Sequence, residues 1–520
     1  MSYSNYFSRN YLSHRFAILL ALPFFAGVGF AQSGSGNTAT QAQQVPLSGR
    51  QSQQSGSVVP QQRSSGVTSS TVNTSVTTIQ VQGAYAGSVN GSETGSTNIV
   101  LTLDQAVQMG LKFNLGSVSA GASSRQVRAQ RLAALSALLP SIDASLSETG
   151  AKTNLETLGL TSGTFGGGTL PKVVGPYHYY DARLSLNYNV LDLAAVHNYR
   201  QAKETASAAE WNDRDARELV VLAVGGQYLR IAADLALVES QEAEVRYAQS
   251  SYEQARAQLQ AGTKSEVDTQ RSQVELQTEQ QRLLSQRADV IKEKRALARS
   301  IGLSLETDFT LAEKLTFDPF APADLQGALK IALSDRADLK SAEAQLRAAE
   351  ESLKAAHSER LPTVSVSGYV AVEGVNPNAG NGVFQGTASV SVPIFQGGRI
   401  KAAEEQARAA IDQRRAEFQD QRGVIELDVR NAYTDFQVAV DQVKVAESNR
   451  DLALRTLQQS QDRFVAGVAT SVEVVQSQES LAAANRDYVS GLYAHNLSKI
   501  SLARALGRAE TGIANILKGQ

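Results

Sequence analysis

From Asp181 to Asp318, and again from Ile394 to the C-terminus, the chain contains no proline. Proline removes a backbone donor and clashes with the preceding helical turn, so two such spans, rich in Ala, Gln, Glu, Arg and Leu, can form helices of unusual length. The first predicted helix, about 194–260, would be roughly 100 Å long at about 1.5 Å per residue. Each span is broken by a glycine in a similar setting, "LQAGTKSEVD" at 259–268 and "FVAGVATSVE" at 464–473. Glycine readily takes the left-handed backbone that closes a helix, so Gly262 and Gly467 predict two hairpins: 194–260 with 264–301, and 398–465 with 470–507.

The hairpins belong to a tandem duplication. "LTLDQAVQMGLKFN" at 101–114 is echoed by "ADLQGALKIALSDR" at 323–336, and "ALLPSIDASLS" by "SERLPTVSVSG". This divides the chain into a first repeat over 99–305, a connector over 306–322, a second repeat over 323–508 and a tail over 509–520. Extra residues in the first half fall in the Gly-rich stretch "TSGTFGGGTLPKVVGP".

Each repeat also carries two runs of period-two alternation, predicting strands at about 140–149 and 178–191, then 362–373 and 384–395. Val364, Val366, Val370 and Val372 alternate with Ser365 and Ser367; Ala182, Leu184, Leu186, Tyr188 and Val190 alternate with Asp181, Arg183, Ser185, Asn187 and Asn189. Such lengths are near the roughly 9–11 residues that cross a bilayer as a tilted strand. Four strands cannot close a membrane barrel, and an open sheet in lipid leaves backbone groups unpaired. The sheet must be hidden, or shared among copies; three copies would supply twelve strands. Along the helices, Val429, Ala432, Phe436, Ala439, Val443 and Ala446, then Leu457, Ser460 and Phe464, follow a heptad seam, as do Leu276, Leu283, Val290 and Leu297.

Composition narrows the function classes. A net charge of −2 with no basic stripe gives no footprint for nucleic acid. The absence of cysteine excludes disulfides, thiolate metal sites and an acylated N-terminal cysteine. The five histidines are scattered, and there is no P-loop or GxSxG elbow, so neither metal, cofactor nor enzymatic activity is expected. Arg9, His14 and Arg15 precede the apolar run "FAILLALPFFAGVGFA", which predicts a signal peptide over 1–31. Residues 32–98, rich in Ser, Gly and Gln, read as a disordered leader. No later segment reads as apolar enough for a transmembrane helix.

The duplicated order of helix, "LP" plus strand, strand, very long helix and glycine turn resembles the TolC-type outer-membrane efflux protein family over about 99–508. "SVPIFQGGRIKAAEEQARA" carries the likeness most specifically; "NYNVLDLAAVHNYRQAKE" is its degenerate partner, without the proline and both glycines. The resemblance implies a mostly α protein with a membrane β-barrel: a homotrimer whose long hairpins form a periplasmic α-barrel and whose four strands per protomer build a 12-stranded barrel in outer-membrane lipid. It further implies export of small molecules or polypeptides, with a periplasmic adaptor (membrane fusion protein) and an inner-membrane pump as partners. A pore-less periplasmic coiled-coil adaptor or structural rod is the alternative. In the resemblance Gly262, Thr263, Gly467 and Val468 form hairpin tips for adaptor docking. Asp268 and Glu473 are candidate entrance acids. Where the family commonly bears two aspartates three apart, this chain has Glu473 and Gln476, and the family's basic gate residue is replaced by Ala469, with Lys264 at the equivalent step of the other turn.

Overall fold

The computed structural model describes residues 58–64, 75–89, 99–158, 171–263, 265–318, 324–376 and 378–511. The predicted signal peptide, residues 161–170 of the Gly-rich stretch and Lys264 lie outside the described residues; the end of that stretch, from Val173 to Pro176, is strand rather than loop. A leader hairpin of β1 (Val58–Ser64) and β2 (Ser75–Val81) comes first. The first repeat follows as β3 (Ile99–Leu101), α1 (Leu103–Phe113), α2 (Leu115–Ser136), β4 (Ser141–Asn154), β5 (Val173–Leu191), α3 (Leu193–Gln260) and α4 (Glu266–Ile301). After β6 (Phe309–Leu311) the second repeat runs through α5 (Leu325–Asp335), α6 (Ala337–Ser358), β7 (Thr363–Gly374), β8 (Gly380–Ser391), α7 (Arg399–Val465) and α8 (Ser471–Ala505).

Local chemistry sets the helix ends. Thr102 forms a capping box with Gln105 at the start of α1, and the Asp192 carboxylate accepts from the Ala195 N–H to open α3. The heptad residues of α7 from Val429 to Ala446 are buried, as are Leu457 and Ser460. That seam packs on α8, and α3 lies between α4 and α8, so the four long helices run in the order α4, α3, α8, α7.

The core sits at the level where the short helices meet the long ones. Val220, Val224, Tyr228 and Ile231 of α3 pack with Val107 of α1, Leu297 and Ile301 of α4, and Leu497 and Ile500 of α8. The second repeat repeats the arrangement with Leu329 and Ala332 of α5 against Ile425, Val429 and Phe436 of α7. Arg336, 4 % exposed, is held between Asp338 and Asp428 and ties α6 to α7. This core corrects the reading that no segment beyond the signal is apolar enough to span a membrane. α3 holds a window of mean hydropathy 1.4, but 72% of that window is buried, because all sides of the helix are packed at this level.

Two expectations change. The leader over 32–98 is not disordered throughout: β1 and β2 pair antiparallel from Val58↔Val81 to Ser64↔Ser75, and β3 and β6 pair in parallel, which also places a strand in the connector. The physical reason is a slot in α3. A Cβ at Gly226 would lie 2.5 Å from Ile79 Cδ1, so the glycine lets Ile79 seat on the helix, with Val58, Val81 and Tyr85 joining the same core. The last strand spans Gly380–Ser391 rather than 384–395, because Pro393 lacks a donor for a continued ladder.

Candidate functional site

The sheet order is β4-β5-β7-β8, with every neighbour antiparallel. Residues opposite each other in such a ladder share a face. One face carries the row Ala144, Leu184, Val370 and Phe384, flanked by Leu146, Ala182 and Val372 and by Ile142 and Leu186. It is apolar and bare: Leu146 is 79% exposed and Phe384 86%. The other face carries Asp143, Ser185, Tyr369 and Gln385, then Ser147, Asp181, Glu373 and Asn381. On it Arg183 donates to Asp181 at 2.7 Å and Glu373 at 3.0 Å, and stacks 4.1 Å from the Tyr369 ring centroid. A sheet with one bare oily face and one ionic face suits a wall between lipid and water.

Both sides of this wall end abruptly. Among the described residues β4 and β8 have no outer neighbour. The outermost helices show a matching gap. α4 exposes Val267, Val274, Leu284 and Ile291; α7 exposes Val424, Leu427, Val438, Val445 and Leu452. On α7 Val424, Val438, Val445 and Leu452 recur at sevens and multiples of seven, a second seam beside the buried one. Sequence reasoning missed it, although the spacing was there to find.

At the far end of the shafts the two tips are built alike. Gly262 (φ +73°) and Gly467 (φ +76°) each close a Schellman motif. Gly262 N–H donates to the Leu259 carbonyl at 2.9 Å and Thr263 N–H to Gln258 at 3.0 Å; Gly467 N–H donates to Phe464 and Val468 N–H to Arg463, both at 3.0 Å. A Cβ on either glycine would meet nothing within 4 Å, so φ alone selects the residue. Gly262, Thr263, Gly467 and Val468 are all exposed. The returning helices are capped by Ser265 and Thr470, whose hydroxyls accept from the backbone N–H of Asp268 and Glu473. Both acids thus stand at the third helical position, where a negative charge complements the helix dipole. Ser265 Oγ donates to Asp268 at 2.7 Å, and Glu473 pairs with Arg463 at 3.3 Å. Gln476 is exposed one turn on. Gln478 of α8 donates to Ser251 of α3 at 3.3 Å, which keeps the hairpins side by side near their tips.

Long paired hairpins ending in exposed tips, joined at the other end to a two-faced sheet, define the class: a conduit with a helical shaft and a membrane-inserted β sector. The model of the family described as outer membrane efflux protein matches residues 118–303 and 328–508, one stretch in each repeat. The chain belongs to the outer membrane efflux protein family, and it is an outer-membrane channel protein of export rather than a pore-less rod. Among its relatives, the pyoverdine export outer membrane protein OpmQ of Pseudomonas aeruginosa is 27% identical over 421 residues, 78% of this chain and 85% of that protein. The toluene efflux pump outer membrane protein TtgC of Pseudomonas putida is 23% identical over 65% of this chain and 71% of its own length. In fold the chain is similar to the Campylobacter jejuni CmeC outer membrane channel, with a TM-score of 0.67 at 18% identity over 86% of this chain and 95% of that one.

Proposed function

We propose that three copies of this chain close into one channel, with β8 of each copy beside β4 of the next and α7 beside the neighbour's α4. The observation that carries this is the coincidence of gaps: among the described residues the edge strands lack an outer partner, and the edge helices bear exposed apolar seams. Closure pairs the strand edges in lipid, where an unpaired backbone group costs several kcal/mol. Twelve strands result. The apolar face then meets lipid and the face bearing Arg183, Asp181 and Glu373 lines the lumen.

The channel takes small molecules or polypeptides from an inner-membrane pump through a periplasmic adaptor, and no step requires catalysis by this chain. Relatives named for pyoverdine export, toluene efflux and alkaline protease secretion support that breadth of cargo. The adaptor docks on the tips at Gly262, Thr263, Gly467 and Val468. Asp268 and Glu473, six acids per trimer, favour cations at the entrance, with Gln476 and Lys264 as further candidate gate residues. Planar-bilayer recordings test this: the wild type prefers cations, and Glu473→Gln reduces the preference. An unchanged preference would leave Glu473 as a helix-start residue only.

A further inference from the structure

The four turns that join sheet to shaft lie at one end of the sheet, where Leu191, Val364 and Val390 form the last rung of the apolar face. Each turn bares a large apolar side chain: Leu139 between α2 and β4, Leu193 between β5 and the body of α3, Leu361 between α6 and β7, and Ile394 with Phe395 between β8 and α7. Ile394 is 96% exposed and Phe395 88%. The turn that presents them is built. Gly397 (φ +58°) and Gly398 (φ +86°) swing the chain into α7. Arg399 then donates to the Gln396 side chain at 2.9 Å and lies 2.7 Å from Glu359 at the end of α6. On the shaft side of the turns the surface becomes ionic, with Arg360 2.6 Å from Glu404 of α7. An apolar band set between an oily sheet face and ionic helix ends marks the level of a lipid–water boundary.

We propose that Leu139, Leu193, Leu361, Ile394 and Phe395 form a collar that seats in the phospholipid leaflet on the shaft side of the outer membrane and sets the depth of the sheet. The collar rests on the reading that the apolar face meets lipid, and it is continuous with that face through Leu191 and Val390. Another copy of the chain is the rival occupant, and the sheet order argues against it. Leu193 and Leu361 adjoin β5 and β7, the inner strands, whereas a neighbouring copy meets the edges at β4 and β8. Lipid alone reaches all four turns. Apolar side chains gain by leaving water for the boundary between headgroups and acyl chains, and the ionic helix ends beyond them resist deeper entry.

The chain's single tryptophan makes the test direct. Trp211 stacks between Arg214 and Lys340 on the shaft, and Trp211→Phe leaves a silent background into which one reporter is placed. Phe395→Trp and Leu361→Trp exchange one exposed apolar side chain for another and keep the fold. The full-length variants are reconstituted into phosphatidylcholine vesicles brominated either near the headgroup or near the chain end. Both collar reporters should lose fluorescence, and lose more of it to the shallow bromine. Leu184→Trp, in the middle of the apolar face, should lose more to the deep bromine. If Leu184→Trp is quenched while either collar reporter is not, the collar falls and the lipid-facing sheet stands. An unquenched Leu184→Trp would overturn the lipid-facing reading and the collar with it. Depth is read by adding Phe395→Asp and Leu361→Asp together to the Leu184→Trp reporter. The ratio of deep to shallow quenching should fall, with helical content by circular dichroism unchanged; an unaltered ratio would show that the collar does not set the depth.

Discussion

Gly262 and Gly467 lie on the backbone where an L side chain is strained, with open space around them. Substituting alanine should therefore cost about 1–2 kcal/mol at each tip, all of it conformational. Hydrogen exchange is expected to quicken in the last turns of α3 and α7 and to stay unchanged in the core around Val220 and Ile231. Glu244 behaves differently. Its carboxyl holds a proton more tightly folded, at about 7, than at its ordinary 4.5. The stability that comes from the neutral form is thus complete below about pH 4.5 and is lost as pH rises through about 7. Glu244→Gln should raise the melting temperature at pH 8 and leave it unchanged at pH 4.5, as calorimetric scans would show. The two residues also differ in legibility. A glycine repeated in equivalent positions of two repeats announces a turn, and the Ser265 and Thr470 caps follow from the letters. Glu244 reads like any surface acid of a charged helix, because only the packing of α4 and α8 on α3 buries it.

The elements were legible where one periodicity governed them. Alternation in Ala182–Val190 and Val364–Val372 reflects a single two-sided environment, and the register aligns these residues into common faces. Leu184→Arg, on the apolar face, should cost about 2–4 kcal/mol near the bilayer midplane and lower the amount of assembled protein in outer-membrane fractions. Ser185→Arg, one residue on and facing the other way, should assemble normally. The leader was misread because composition averages over a segment, whereas Ile79 needs only one slot, at Gly226 of α3, to hold its strand in place. Gly226→Val should displace Ile79 and expose β1 and β2 to protease while the long hairpins stay resistant. The second apolar seam of α7 escaped notice for another reason. Heptad spacing says that a stripe is apolar, and tertiary packing decides whether that stripe is buried within a chain or left for another copy.

At the scale of the whole molecule, the strand edges without an outer partner among the described residues and the exposed seams divide by repeat. β4 and α4 come from the first repeat, β8 and α7 from the second, so the duplicated chain offers its neighbour a first-repeat side and receives a second-repeat side. Such a head-to-tail interface makes rings when the rotation closes. Val445→Glu, in the exposed seam of α7, should weaken the ring without unfolding the protomer, lowering the trimer fraction by mass photometry while helical content by circular dichroism holds. The number of copies follows from sheet closure and was open to sequence reasoning only as an edge problem with several solutions. Single-particle electron microscopy of the purified protein in lipid nanodiscs tests the central claim most directly. A three-fold ring is predicted, with twelve strands around a lumen and β8 of each copy hydrogen-bonded to β4 of the next. A monomer, a ring of another number, or a four-stranded sheet covered by its own chain would contradict it.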